Sequence, residues 1–351
     1  MTDRPGLEAT QAETEINKFP LLPYDYVYGQ EELRTVLEVA FVMGTERSGV
    51  LVSGERGTAK STIARSFAHM MYGGLPVNLP INATDDRVIG GWDINSLMAG
   101  DLKPLWRDGL LRQAADEGML YIDEVNLLED HIINLILDPV STGVLNPQRD
   151  GQDGEDPAKN KDVSFMLVGT MNPDEGPLRP QLLDRFAFYV PIKSQRGHEA
   201  RKQILKNVLR FDRERRRPDS QWLSDGAQRD GELKTKLEGA QALFKEREGE
   251  HSDGPIIDIC AQVAAAFNVV GHRAEIVMAR AAYAFAARDC MISEDRSSAE
   301  PTSADVAKIA KYAIMHRRSG AASTGLYDWD DQSDSATLDA VIAGVVGSEP
   351  R

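Results

Sequence analysis

The first 195 residues alternate between short apolar runs and longer stretches in which apolar residues recur at helical spacing. A short run that is apolar throughout predicts a strand buried on both faces. Strands that alternate with helices predict a parallel sheet with helices on both faces. The predicted strands are residues 49–53, 79–82, 119–123, 165–170 and 188–192, and the predicted helices are residues 30–42, 62–71, 110–117 and 130–137.

Beyond about residue 195 the strand-like runs stop and the pattern is helical. We therefore predict an α/β core at residues 19–195, followed by an all-helical domain at residues 196–320. Residues 1–18 are polar and predict a disordered N-terminus, whereas residues 321–351 are rich in Ser, Gly and Asp and predict an acidic flexible tail. Residues 148–161 are glycine-rich and acidic, which predicts the exposed tip of a hairpin or a flexible loop. The helices predicted in the second domain are residues 197–217, 232–247, 256–270, 273–288 and 303–317.

The chain of 351 residues carries a net charge of −15 and has a pI of about 4.9. This charge disfavours attraction of the whole molecule to nucleic acid or to an anionic membrane, and with it a helicase or nucleic-acid loader. No apolar run approaches the roughly 20 residues that a membrane span needs. Cys260 and Cys290 lie in helical patterns without metal-ligand spacing, which predicts buried, reduced thiols in a cytoplasmic protein.

The first candidate site is the sequence GERGTAKS at residues 54–61, between a predicted strand and a predicted helix. Such a turn gathers backbone N–H groups at the positive end of a helix, which suits the phosphates of ATP. Lys60 is expected to reach the β- and γ-phosphates, and the Ser61 hydroxyl to ligate Mg²⁺. The candidate nucleotide-binding residues are Gly54, Glu55, Arg56, Gly57, Thr58, Ala59, Lys60, Ser61 and Thr62.

Ala59 departs from the usual G-x-x-x-x-G-K-[ST] pattern, because it stands where the last glycine is expected. If the backbone φ at Ala59 is negative, the extra methyl group is tolerated. If φ is positive, the residue is strained by roughly 1 kcal/mol, as is usual for a left-handed residue other than glycine.

A second candidate site lies at the end of the apolar run 119–123. Asp123 is expected to hold Mg²⁺ opposite Ser61, and Glu124 to accept a proton from the attacking water or to orient it. The alternative is an ordinary acidic strand end, which is less favourable because buried adjacent carboxylates are costly without a cation. Asn172 follows another apolar run and could fix the same water, or it could be only a turn residue before Pro173.

Further motifs cover most of residues 25–320. They are VYGQEE (27–32), DRVIGGWDI (86–94), GLLRQA (109–114), LYIDEVNLLEDHIINLILD (120–138), GTMNPDEGPLRPQLLDRF (169–186) and GHRAEIVMARAA (271–282). With GERGTAKS, they resemble the AAA+ ATPases of the magnesium chelatase subunit I and MoxR branch. The resemblance implies an AAA+ P-loop core with an all-helical lid, in a hexameric ring with ATP at subunit interfaces. It also implies two insertions, at residues 86–105 and 140–164.

The resemblance further implies roles for two arginines. Arg185 matches the arginine finger that reaches the neighbouring subunit's nucleotide, and Arg273 matches the sensor arginine of the lid. A guanidinium suits both roles, because its fixed charge stabilises the transferring phosphoryl group. Without the resemblance, Arg185 reads as an intramolecular partner of Asp184 or Glu175, and Arg273 as a solvated or capping residue. Arg179 is a weaker candidate to act between subunits.

Three functions remain open from the sequence. The first is a ring motor that hydrolyses ATP with Mg²⁺ and drives a chelatase-type partner subunit, typically one with a von Willebrand A domain. The second is a MoxR-type chaperone that remodels another protein complex. The third is a slow, nucleotide-gated assembly scaffold, which only Ala59 supports. The resemblance leaves binding of the tetrapyrrole and of substrate magnesium to the large partner.

Overall fold

The computed structural model of the chain describes residues 20–44, 49–92, 98, 106–142, 144–145, 161–247, 254–295, 300–319 and 328–346. The predicted N-terminal segment at residues 1–18 and nearly all of the predicted tip at residues 148–161 lie outside these ranges.

The strands before residue 195 lie close to where the apolar runs predict them. The strands are β1 (Val50–Ser53), β2 (Val77–Leu79), β3 (Gly90–Trp92), β4 (Trp106–Asp108), β5 (Met119–Ile122), β6 (Val144–Leu145), β7 (Lys161–Asp162), β8 (Met166–Met171) and β9 (Phe188–Pro191). Five of them form a parallel sheet in the order β2-β5-β8-β1-β9, and β3-β4 and β6-β7 form two short antiparallel hairpins.

Helices connect the strands of the sheet. After β9, the part of the chain that the structure describes is helical and adds no strand to the sheet. The fold class predicted from the sequence is confirmed: a parallel α/β core followed by a helical region. The helices are α1 (Glu31–Met43), α2 (Lys60–Tyr72), α3 (Asp85–Ile89), α4 (Leu110–Glu117), α5 (Asp130–Thr142), α6 (Pro180–Leu183), α7 (His198–Glu214), α8 (Gln221–Glu246), α9 (Pro255–Ala266), α10 (Arg273–Ser293), α11 (Ser303–Ile314) and α12 (Ser333–Val346).

Alternate side chains of the central strands enter two separate cores. Leu51, Leu120 and Leu167 belong to the core on one face of the sheet. Tyr121 and Val168 belong to the core on the other face, which continues into the helical region. Because side chains alternate along a strand, a sheet that buries both faces needs apolar residues at nearly every position. This explains why the strands could be located from unbroken apolar runs.

The helical region is joined to the sheet core by a buried ion pair. Glu38 on α1 is 3% exposed, and the guanidinium of Arg288 on α10 contacts its carboxylate at 2.6 Å and 2.7 Å. Breaking a buried pair by removing one partner is strongly destabilising, because the other charge is left without compensation. The pair therefore fixes how α10 packs on α1.

The sequence-based prediction was wrong at the C-terminus. Residues 328–346 do not form a flexible tail, because α12 packs against α9 and α11. Leu338 is buried, and Val341 and Ile342 contact the same core, so three apolar side chains at helical spacing outweigh the surrounding Ser, Gly and Asp. The remaining tail residues, 320–327 and 347–351, lie outside the described ranges.

Other differences concern boundaries and insertions. Helix α8 begins at Gln221, before the predicted start at residue 232, and β2 ends at Leu79 rather than beginning there. The hairpin implied for residues 140–164 is present as β6 and β7, whereas the hairpin β3-β4 around the other insertion was not predicted. Cys260 and Cys290 are buried and unpaired, as expected. Among the described helices, none is both long and apolar enough to cross a bilayer.

Candidate active site

The order of the strands brings the two candidate motifs together. Strand β8 lies between β1 and β5, and all three run parallel. Their carboxyl ends therefore meet at one edge of the sheet, where open α/β sheets bind their ligands. Residues 54–62 follow β1, Asp123 and Glu124 follow β5, and Asn172 follows β8. We call this group the nucleotide edge.

The loop after β1 has a backbone that favours glycine at several positions. At Gly54, an added Cβ would lie 2.6 Å from the carbonyl oxygen of Ile192, so a side chain has no room there. Gly57 has a φ of 78° in the left-handed region. Ala59 also lies there, with φ 67° and ψ 16°, immediately before α2 begins at Lys60. Of the two alternatives predicted for Ala59, the structure shows the strained one.

Lys60 lies folded back over the loop that precedes it. Its ammonium group donates to the carbonyl oxygen of Gly54 and, at 3.0 Å, to that of Glu55. Partial burial lowers the pKa of Lys60, while Asp123 and Glu124 oppose that shift. The ammonium group is thus held within the loop, where its charge is available to phosphates.

The two predicted magnesium ligands are linked through hydroxyl groups. The Tyr121 hydroxyl lies 2.9 Å from Ser61 Oγ and 3.2 Å from Asp123 Oδ1. The Thr170 hydroxyl donates to the same Asp123 oxygen at 2.6 Å. Neither Tyr121 nor Thr170 was predicted as a site residue, because within an apolar run each looks like part of a strand core.

The chemistry of these donors fits Mg²⁺ only if a nucleotide is present. Ser61 and Asp123 offer hard oxygen atoms, which Mg²⁺ prefers, and Mg²⁺ is commonly held by one or two carboxylates together with substrate phosphates. The described residues contain no group of three or more His, Cys, Asp or Glu side chains able to hold a metal alone. The site therefore suits a magnesium–nucleotide complex better than a free metal ion.

Glu124 has an uncommon backbone conformation for its residue type. Its φ is 54° and its ψ is 55°, and its N–H donates to Thr170 Oγ1 at 3.3 Å. Its carboxylate lies 3.4 Å from the guanidinium of Arg56, which also pairs with Glu175. The hydrogen bond that Arg56 donates to Glu175 is the main reason why the pKa of Arg56 is raised. Left-handed residues other than glycine cluster at functional sites, where the surrounding structure maintains the strained conformation.

Asn172 is buried at the carboxyl end of β8. Its Oδ1 accepts a hydrogen bond from the N–H of Asp174 at 3.3 Å and so caps the 3₁₀ turn Pro173–Glu175. The turn function considered from the sequence is therefore present. Asn172 follows β8, which pairs with β5, the strand that precedes Glu124, and its role in orienting water stays a prediction.

The predicted arginines lie at the opposite end of the strands. Strand β9 pairs in parallel with β1, and Asp184 and Arg185 precede β9, whereas the phosphate loop follows β1. The two groups are thus separated by at least the length of β1, roughly 10 Å at about 3.3 Å per residue. Arg185 pairs with Asp138 of α5, and Arg179 with Asp130 at 2.6 Å. The partners considered for Arg185, Asp184 and Glu175, bind other arginines instead.

Arg273 is partly exposed, and its guanidinium binds the Asp184 carboxylate at 2.8 Å and the Asp184 carbonyl at 3.1 Å. Arg317 binds the other oxygen of the same carboxylate at 2.8 Å. The side chain of Arg317 is 1% exposed, and burial lowers its pKa to about 10, so it remains charged at neutral pH. We call Asp184, Arg185, Arg273 and Arg317 the arginine cluster.

A cavity of about 390 Å³ opens beside the phosphate loop and was not predicted. The segment before α1 forms one wall and helix α7 forms another. No sequence motif indicates it, because its walls are almost two hundred residues apart along the chain. Residues that line it include Tyr26, Val27, Gln30, Thr62, Leu205 and Val208.

Comparison with known proteins agrees with this geometry. The family model described as "AAA domain (dynein-related subfamily)" matches residues 49–186. A putative ATPase from Cytophaga hutchinsonii, 13% identical, aligns over 98% of both chains with a TM-score of 0.52, which supports the fold alone.

Two curated relatives cover most of this chain. An uncharacterized protein, Rv2850c of Mycobacterium tuberculosis, is 36% identical over 84% of this chain, which spans 44% of that protein. The magnesium-chelatase subunit ChlI of Olisthodiscus luteus is 32% identical, and the alignment covers 87% of this chain and 92% of that subunit. The chain belongs to the magnesium-chelatase I-subunit family of AAA ATPases.

Proposed function

We propose that this chain binds and hydrolyses ATP with Mg²⁺ as one subunit of a hexameric ring, and that the ring drives a partner protein. One observation carries the proposal: Lys60 and Ser61 follow β1, and Asp123 and Glu124 follow β5, so the four residues meet at the carboxyl ends of two strands that lie on either side of β8. Each of these side chains has the chemistry that phosphate transfer to water requires.

The nucleotide edge supports a division of labour for hydrolysis. Lys60 would exchange its loop carbonyls for the β- and γ-phosphates, while Ser61 and Asp123 would hold the magnesium ion. Bound there, magnesium would neutralise charge on the phosphate oxygens. Glu124 would accept the proton of the attacking water, and Asn172 would orient that water from the neighbouring strand.

The cavity beside the loop supports a position for the adenine base. It borders the phosphate loop at residues 57–59, and its walls combine apolar residues with the polar residue Gln30. Such a mixture is usual for sites that bind planar organic groups. With the phosphates on Lys60, the base would lie between α7 and the segment before α1.

The arginine cluster supports action between subunits. Arg185 and Arg273 lie beyond the amino end of β9, away from the phosphate loop of their own chain. Their side chains are 30% and 41% exposed, so a neighbouring subunit could reach both. In a ring, each subunit would then supply these two charges to the next subunit's nucleotide.

The last part of the proposal concerns the identity of the partner protein that the ring drives. The name of the Olisthodiscus luteus relative calls it a subunit of magnesium chelatase. By analogy, we propose a chelatase-type partner with a von Willebrand A domain, working in the cytoplasm. A MoxR-type chaperone would use the same ATP site with another partner. A slow scaffold is supported only by the strained Ala59.

The experiment compares three variants in nucleotide binding and steady-state ATP turnover. Lys60→Ala should lose ATP binding. Glu124→Gln should bind ATP but turn over about 10²–10⁴-fold more slowly, as expected when a positioned base is removed. Glu129→Gln makes the same chemical change five residues later on an exposed side chain and should behave as wild type.

Each outcome has a clear meaning. Wild-type turnover by Glu124→Gln would show that Glu124 is not the base. Slow turnover by the wild-type protein, with normal ATP binding, would favour the scaffold. Isolation of the partner that binds Glu124→Gln in the presence of ATP would separate a chelatase-type ring from a chaperone.

A further inference from the structure

Tyr121 is a buried tyrosine whose hydroxyl faces the magnesium ligands. Tyr121 lies two residues before Asp123, and side chains two residues apart along an extended chain point to the same face of the sheet. The residue is only 1% exposed. Its hydroxyl lies within hydrogen-bond distance of both Ser61 and Asp123. A residue needed only to fill the core at this position would require no hydroxyl group.

Thr170 extends the contact to a third structural element. Its hydroxyl donates to Asp123 at 2.6 Å, lies 3.5 Å from the Tyr121 hydroxyl and accepts the N–H of Glu124 at 3.3 Å. Ser61 is on α2, Tyr121 is on β5 and Thr170 is on β8. Two hydroxyl groups therefore connect the phosphate-loop helix, the strand that carries the acids and the neighbouring strand.

Counting protons gives the Tyr121 hydroxyl a specific task. A serine hydroxyl that gives a lone pair to a cation keeps its proton, which then needs an acceptor. A phenol has one proton to donate and can also accept. In the structure, the Tyr121 hydroxyl donates to Ser61 Oγ. Beside a bound magnesium ion it would instead accept from Ser61 and donate to Asp123, which would leave the serine lone pair directed at the metal.

We infer that Tyr121 is a positioning residue for magnesium, acting as a relay from the Ser61 hydroxyl to the Asp123 carboxylate, with Thr170 fixing that carboxylate. The inference rests on the proposed ATP site and assigns a residue that sets its magnesium requirement. Mg²⁺ demands near-ideal octahedral geometry, so ligands held in advance favour it. Hydrogen-bond partners behind metal ligands typically change metal affinity about 10–100-fold.

The test is Tyr121→Phe, which removes one oxygen atom and keeps the ring that fills the core. ATP binding is measured by calorimetry in EDTA and over a series of Mg²⁺ concentrations, and unfolding is followed in parallel. Affinity for ATP in EDTA should be unchanged. The Mg²⁺ concentration for half-maximal tightening of ATP binding should rise about 10-fold or more.

Tyr72→Phe is the matched control, because it removes the same atom at the opposite end of α2. The two ends of this 13-residue helix are roughly 18 Å apart at 1.5 Å per residue, so Tyr72→Phe should leave the Mg²⁺ requirement unchanged. Thr170→Val is a second variant that removes the donor to Asp123. Because all three hydroxyls form one network, the effects of Tyr121→Phe and Thr170→Val should not add.

Three results would overturn the inference. In the first, Tyr121→Phe keeps the wild-type Mg²⁺ requirement. In the second, it weakens binding equally in EDTA and in Mg²⁺, which indicates a purely structural role. In the third, the wild-type protein binds no ATP, which would also overturn the proposed function. The first two leave the proposed function intact, so the two failures can be told apart.

Discussion

At the nucleotide edge, Lys60 contacts the backbone of its own loop, and Ser61 and Asp123 both contact the Tyr121 hydroxyl. All of these partners belong to the same chain and to the same edge of the sheet. In the arginine cluster, Arg185 and Arg273 are also bound within the chain, but to Asp138 and Asp184, at the other end of the strands. The first region holds the side chains that we propose to bind the nucleotide. The second holds the charges that we propose to act in hydrolysis, and it lies at the other end of the strands from the nucleotide edge of its own chain. We therefore expect one chain to bind ATP by itself and to need a second subunit for turnover.

The strongest way to break this comparison is to mix two inactive variants. Arg185→Ala should still bind ATP through Lys60, yet a uniform ring should lose about 10³-fold or more in turnover, as is usual for a missing arginine finger. Lys60→Ala has an intact Arg185 but no usable loop. In a mixed ring, Arg185 of one variant can serve the loop of the other, so activity should appear on mixing. It should depend on protein concentration, because assembly does. Turnover of mixed samples over a range of ratios is the measurement.

Arg179 supplies the control for this experiment. It is an exposed arginine of the same segment and pairs with Asp130, so Arg179→Ala should turn over ATP nearly as wild type does. A mixture as inactive as its components, with mixed rings shown to form, would mean that Arg185 does not act between subunits. Its pairing with Asp138 would then be the better account of the residue.

A smaller effect should separate the members of the arginine cluster from one another. Arg317 is buried and donates to the carbonyls of Ala187 and Ala313 as well as to Asp184. Arg317→Met would remove this buried donor from all three acceptors, of which Asp184 keeps its bond with Arg273, and should lower the free energy of unfolding by about 3 kcal/mol. Arg273→Met removes an exposed partner of the same Asp184 and should cost less than about 1 kcal/mol.

Urea denaturation of both variants measures this difference. In ATP turnover the order should reverse, because Arg273 is proposed to act on a neighbouring nucleotide and Arg317 to hold the fold. Equal losses of stability would show that the two arginines share one structural role.

The sequence predicted the central strands and the loop because these depend on local pattern. Buried parallel strands are apolar throughout, and a phosphate loop is a contiguous motif, so β1 and β5 and the residues after them could be located directly. The partner of Arg185 could not be predicted from the sequence, because Asp138 is 47 residues away along the chain and only the packing of α5 brings it close. The cavity lined by Tyr26 and Val208 could not be predicted either, because its walls are distant in sequence and meet only in the folded chain.

Tyr121 and α12 were missed for a different reason. A tyrosine in an apolar run looks like core, and it is core, yet its hydroxyl reaches the site at the end of the strand. The tail prediction rested on the Ser, Gly and Asp content of residues 321–351, whereas α12 itself carries Leu338, Val341 and Ile342 at helical spacing. Composition describes an average, whereas packing depends on which face carries the few apolar side chains.

The smallest expected effect concerns strain, which is present at the nucleotide edge at Ala59. A left-handed alanine costs roughly 1 kcal/mol, so Ala59→Gly should raise the population of the loop conformation seen here. Apparent affinity falls with the fraction of competent loop, and 1 kcal/mol corresponds to about fivefold, so ATP should bind up to about fivefold more tightly. Gly57→Ala makes the reverse change at φ 78° and should weaken ATP binding by a similar factor.

Gly73→Ala is the control for these loop variants, because Gly73 is also left-handed, with φ 80°, but lies beyond the other end of α2. It should lower stability by roughly 1 kcal/mol and leave ATP affinity unchanged. Calorimetric titration of the three variants with ATP makes the comparison. If Ala59→Gly changes neither affinity nor stability, the left-handed alanine stores no energy that ATP binding uses. The support for a slow scaffold would then disappear, because the strain at Ala59 is its only basis.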